Sequence, residues 1–135
     1  MALTEASPRQ RQIIAIGPKF KLTLAGTCIA GDLLGYNSGW VRALATVGTA
    51  IPARFIALEG GVSGDVIEVT AEAVISGFTS GDPGDSVYLE EGAGVGGGYT
   101  ETAPSTTGDV NVILGEIIAA DTIHVWPARR ADSVA

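Results

Sequence analysis

No stretch of this chain holds a helical apolar period for long, and Gly or Pro breaks it about every eight to twelve residues. That rhythm is the main constraint on the fold. A helix needs roughly 10–12 uninterrupted residues, while a strand needs half that. Between the breaks lie short runs with strong β preference. "FKLTLAGTCIA" alternates from Phe20. "DLLGY" and "WVRALAT" flank Asn37-Ser38-Gly39, which reads as a hairpin. "ARFIALE" and "DVIEVTAEAVISGF" follow, separated by Gly60-Gly61 and Ser63-Gly64. "SVYLEE" and "GYTETA" enclose a glycine run. "DVNVILGEIIA" and "DTIHVWP" turn at Ala120-Asp121, and Pro127 stops the last strand because proline cannot donate to a ladder. The reading is an all-β chain of antiparallel strands. Four strands begin after a Gly-Asp pair, at residues 31–32, 64–65, 84–85 and 108–109. Gly supplies an unusual backbone angle and Asp caps the turn with its side chain. Their spacing is irregular, so they mark a reused turn rather than a repeat.

The 135 residues make one domain: an arm over 1–18, a β domain over 19–128 and a short tail over 129–135. Apolar residues at 46% and charged residues at 17% suit a packed core. No apolar run approaches the roughly 20 residues that span a bilayer, so no membrane partner is expected. "MALTEASPRQRQ" lacks an apolar stretch before its basic residues and does not read as a signal peptide, which predicts folding in a cytoplasm. Cys28 lies in an apolar run and reads as a small core residue.

The net charge of −7 is unevenly placed. Arg9, Arg11, Lys19 and Lys21 face one acid, Glu5, within residues 1–21, whereas residues 22–128 hold Arg42 and Arg54 against thirteen acids. An acidic body argues against nucleic acid as a partner. The basic arm has two readings. It reaches an acidic surface on a neighbouring subunit, or it is a solvated terminus. "PRQRQIIAIGPKF", bracketed by Pro8 and Pro18, reads as an arm followed by an edge strand able to add to a partner's sheet.

Gly92-Ala93-Gly94-Val95-Gly96-Gly97 matches the dinucleotide fingerprint G-x-G-x-x-G. In a nucleotide fold that motif opens a helix whose N-terminus holds the pyrophosphate. Here "GYTETAPSTTGD" follows, with Pro104 and no apolar stripe, and Glu90 and Glu91 would repel phosphates. The run reads as a hairpin tip, and no cofactor is expected. The single histidine, His124, has no Cys or His nearby for a zinc site and no nucleophile frame for catalysis. Asp82, Asp85, Glu90 and Glu91 lack the D-x-D-x-D-G calcium pattern and read as turn and surface residues. No catalytic, cofactor or metal residue is assigned. Trp40 and Trp126 read as core or subunit-interface anchors.

From Gly31 to Pro127 the pattern resembles the head-decoration (capsid cement) proteins of tailed bacteriophages. "AGDLLGYNSGWVRALAT" is similar to the family's opening hairpin. "PARFIALEGGVSGDVIEVTAEAVISGF" is similar to its middle, and "PGDSVYLEEGAGVGGGYTETAPSTTGDVNVILGEIIAADTIHVWP" to its close. The resemblance implies a β-barrel or β-tulip-like domain with an extended N-terminal arm. It implies a homotrimer on the outer surface of a virion capsid, bound to the major capsid protein and holding the shell against DNA pressure. The arm contacts, with capsid protein or the next subunit, fall to Arg9, Arg11, Ile13, Ile14, Lys19 and Lys21, with Trp40 and Trp126 as candidate interface anchors. The alternative is a fibre or tail-tip domain touching a host receptor or glycan through Tyr36, Trp40, Tyr99 and residues 92–98.

Overall fold

The computed structural model describes residues 3–5, 10–45, 50–90, 97–103 and 113–127. Arg9, most of the glycine run and the fourth Gly-Asp pair lie outside them. The fold is all-β, as the turn rhythm requires. The strands are β1 (Thr4–Glu5), β2 (Gln12–Ala15), β3 (Lys19–Thr23), β4 (Leu33–Tyr36), β5 (Trp40–Arg42), β6 (Phe55–Ala57) and β7 (Val66–Thr70). There follow β8 (Ala73–Ser76), β9 (Phe78–Thr79), β10 (Ser86–Leu89), β11 (Tyr99–Thr100), β12 (Gly115–Ala119) and β13 (Thr122–Val125). They make a six-stranded sheet ordered β11-β10-β12-β13-β8-β2, a five-stranded sheet ordered β3-β7-β6-β4-β5, and a small β1-β9 pair. Every strand pairing is antiparallel.

The two large sheets curl into a barrel-like shell. On one side backbone bonds join them: Leu33 N–H donates to Gly97 O, Gly97 N–H to Ala43 O, and Ala45 N–H to Glu90 O. On the other side the chain itself crosses. A continuous ribbon of β2 and β3 runs beside β7 and β8, and both change sheet at one corner. There the Ile16 and Gly17 N–H groups both donate to Glu72 O, and the buried Thr70 hydroxyl lies 3.1 Å from the Pro18 carbonyl oxygen. The boundary drawn at residue 18 therefore falls inside this ribbon.

Alternation fills two cores. Ala73, Ile75, Val87, Leu89, Ile117, Ile123 and Val125 meet Leu33, Ala43, Ala53 and Ile56 between the sheets. The other parity of the five-stranded sheet, Leu34, Ala57, Ile67 and Val69, packs with Leu24 and Cys28. "FKLTLAGTCIA" is thus a regular strand only as far as Thr23; beyond it Leu24 still bonds the Gly64–Asp65 backbone and Cys28 bridges Gly61, and both side chains close the second core. Burial pushes the Cys28 thiol pKa up, consistent with a packing role.

The Gly-Asp pairs work as one turn device. Gly31, Gly64 and Gly84 have φ of 86°, 95° and 93°, the angle demanded at the third position of a type II turn. Asp32, Asp65 and Asp85 N–H groups donate three residues back, to Ile29, Val62 and Asp82. In the first two turns the Asp carboxylate also accepts from that earlier N–H, at 2.9 Å each. The hairpin at residues 37–39 forms as expected, with Tyr36 opposite Trp40.

Gly115 is a point of close approach, where a Cβ would collide with the His124 carbonyl oxygen of the neighbouring strand. Gly115→Ala is expected to cost about 1–3 kcal/mol, since the ladder must part to admit it. Denaturant unfolding of the two proteins checks this, and equal midpoints would refute the packing.

Candidate assembly surface

The N-terminal segment is held by charge. Arg11 reaches into the body with its side chain 1% exposed. Its Nη1 donates to Asp32 Oδ1 at 2.7 Å, and its Nε and Nη2 grip Glu5 at 2.8 and 3.0 Å. Arg42 Nε donates to Asp32 Oδ2 at 2.6 Å, and Asp32 is fully buried. The Arg11 guanidinium also lies over the Tyr99 ring, 5.3 Å from its centroid, and the Tyr99 hydroxyl donates to Gly31 O at 2.6 Å. Burial opposes the Arg11 charge, but the Glu5 hydrogen bond and the Tyr99, Glu5 and Asp32 contributions outweigh it and raise the pKa. Two glycines make room: a Cβ at Gly31 would meet Arg11 Cδ, and one at Gly97 would sit 2.9 Å from Asp32 Cγ. The last glycine of the apparent nucleotide fingerprint is thus a packing requirement of a buried carboxylate.

Beyond Arg11 the ribbon turns outward. Ile13 packs against the core, while Ile14 is 67% exposed and Ile16 55%. Alternation carries the outward parity through Pro18 to Phe20, 37% exposed. Lys19 and Lys21, on the other parity, are exposed. Phe20 opens an aromatic chain across the outside of the five-stranded sheet. Its ring meets Phe55 at 4.7 Å, Phe55 meets Trp40 at 5.4 Å, and Trp40 meets the 64% exposed Tyr36 at 5.3 Å. The arm residues expected to share one contact surface are Arg9, which lies outside the described residues, and Arg11, Ile13, Ile14, Lys19 and Lys21. The structure keeps Ile14, Lys19 and Lys21 at the surface and turns Arg11 and Ile13 into the chain's own body. It adds Ile16, Phe20 and Phe55, for which outward parity beside the two lysines was the available signal.

The other candidates separate. Trp126 stacks edge-on to His124 at 4.8 Å on the outer face of the six-stranded sheet, far along the chain from Trp40. His124 Nε2 lies 2.6 Å from Glu72 Oε2. Tyr99 is buried, so it does not join Tyr36 and Trp40. Asp82, Asp85 and Glu101 bring carboxylate oxygens within 4.8 Å of one another. Glu101 was not singled out in the sequence; β11 delivers it to the Asp82–Asp85 turn. It also accepts the Leu3 N–H at 3.0 Å, tethering the N-terminal strand. Partial removal from water and hydrogen bonds to Asp85 and Asp82 push Glu101 up to about 7.

Comparison with protein-family models, curated proteins and solved structures returns no match.

Two predictions follow from these charges. Asp32→Asn takes the buried counter-charge from Arg42 and leaves Arg11 with Glu5 alone, and is expected to cost about 3–5 kcal/mol in denaturant unfolding. Arg11→Met, which leaves Asp32 with Arg42, costs less. A raised carboxyl pKa means the folded state holds the Glu101 proton more tightly than the unfolded state. The contribution of this group to stability therefore falls as pH rises from its ordinary value through about 7. Glu101→Gln should gain Tm relative to the parent between pH 5 and 7.5. A pH-independent difference would remove Glu101 as the titrating group.

Proposed function

We propose that this protein is a structural virion component, a homotrimeric decoration protein bound to the major capsid protein on the outside of a phage head. The observation that carries the reading is an outward apolar stripe, Ile14, Ile16 and Phe20, on a chain whose two cores are filled by its own residues. A body that packs itself and still presents large apolar side chains along the β2–β3 ribbon has surface left for association. The all-β barrel-like fold and the resemblance over Gly31–Pro127 support the same reading. Many modest contacts, repeated over a lattice and joined by trimer avidity, suffice to clamp a shell.

A second reading has its own observation. Tyr36 stands exposed against Trp40, which in turn meets Phe55, an aromatic surface suited to stacking on a sugar ring of a host receptor. This assigns a fibre or tail-tip domain, present in few copies.

Copy number separates the two. Purified protein mixed with undecorated phage heads and sedimented is expected to co-sediment at an abundance comparable to the major capsid protein. Absence from the pellet, with binding to host cells abolished by Tyr36→Ala, would replace the decoration reading with the receptor-binding one.

A further inference from the structure

We propose that the outer stripe of the β2–β3 ribbon is the surface by which one copy of this chain binds another. This rests on the reading that the chain assembles in copies, and deepens it by assigning the contact.

Three observations converge on residues 12–23. The first is side-chain character. Outward positions 14, 16, 18 and 20 are all apolar and exposed, where a strand facing water permanently would carry polar groups. The stripe also continues, since Phe20 leads through Phe55 to Trp40. The second is the backbone. β2 pairs with β8 alone and β3 with β7 alone, and the far edge of the ribbon is bridged only where β3 ends, by Leu24 to Trp40; before that point it is open among the described residues. Open edges invite added chains. Here Pro18, Lys19 and Lys21 blunt that tendency, and they also select: whatever covers this edge must bring carboxylates.

The third is charge, and it points to a second copy. Lys19 and Lys21 belong to a chain of net charge −7. Between residues 22 and 127 the other cations are Arg42, paired to Asp32, and Arg54, against thirteen acids. The basic ribbon of one copy is therefore complementary to the body of the next. Because a basic ribbon meets an acidic patch and not its own counterpart, the contact is head-to-tail, which closes into a ring where the rotation between copies is a whole fraction of a turn.

The test uses the full chain without capsids. Sedimentation velocity over a range of concentrations, at low and high salt, reads the assembly of four proteins: the parent, Ile14→Thr with Ile16→Thr, Lys19→Glu with Lys21→Glu, and Val62→Thr as an exposed apolar control off the ribbon. Circular dichroism confirms that each is folded; threonine retains the strand preference. The parent is expected to assemble, and each ribbon pair to raise the concentration for half-assembly by about tenfold or more. Added salt should weaken the parent, and Val62→Thr should behave as the parent does. Carbodiimide coupling of mixed light and heavy-isotope copies should join Lys19 or Lys21 to a carboxylate of the other copy. Folded ribbon variants that assemble like the parent would overturn this inference while leaving self-assembly intact. A parent that stays monomeric at every concentration would overturn it together with the trimer, whereas head binding is decided separately by co-sedimentation.

Discussion

Asp32 is a carboxylate with no access to water, held between two arginines, and much of the chain is arranged around it. Its oxygens take Arg11 from the N-terminal segment, Arg42 from the β4–β5 hairpin and the Ile29 N–H from its own turn. A buried ion pair seldom gains much over an apolar replacement, but it is costly to break and strict about geometry. Here the strictness is visible. Gly31 is positive in φ and lacks a side chain where Arg11 passes, and Gly97 lacks one where it meets the Asp32 carboxylate. Tyr99 lies beneath the guanidinium and bonds the Gly31 carbonyl. Four segments distant in sequence are thereby fixed relative to one another.

What the sequence made legible follows from where each signal lives. Strand identity, the Asn37-Ser38-Gly39 hairpin and the Gly-Asp turns are local. Their chemistry is complete within a few residues, and they can be read from the letters. The bend at Ala71-Glu72 was not legible. "DVIEVTAEAVISGF" keeps a strand-like apolar pattern throughout, and only packing against two sheets makes it turn. The partner of Arg11 was hidden for the same reason. Asp32 reads as a turn residue, which it is, and nothing local distinguishes a capping carboxylate from one that also holds two arginines.

The same limit shaped the candidate surface. A basic segment on an acidic chain invites one explanation for all its cations, but burial sorts them. Arg11 is consumed internally, while Lys19 and Lys21 remain outside. Alternation in "QIIAIGPKFKLT" does tell which residues share a side; it does not tell which side is wet. Ile13 and Ile14 are equivalent as letters and opposite in fate.

That fate is set by register, and the buried ion network is one of the two anchors that fix it, the other being the corner bonds to Glu72. In an edge strand that carries isoleucine on both parities, a one-residue slip of β2 against β8 would exchange Ile14 and Ile16 for Ile13 and Ala15 at the core, with Gln12 as the polar residue turned inward. Seated on Asp32, Arg11 forbids the slip, because moving it by one residue would withdraw a guanidinium from a buried carboxylate. The pairing of Ile13 with Ile75 and Ile14 with Val74 is therefore held from both ends of the strand, by the ion network before it and by the Ile16 and Gly17 bonds to Glu72 after it. The interior network and the outer stripe are one device: charge pinned inside the shell, together with the corner bonds, determines which isoleucines it presents outside.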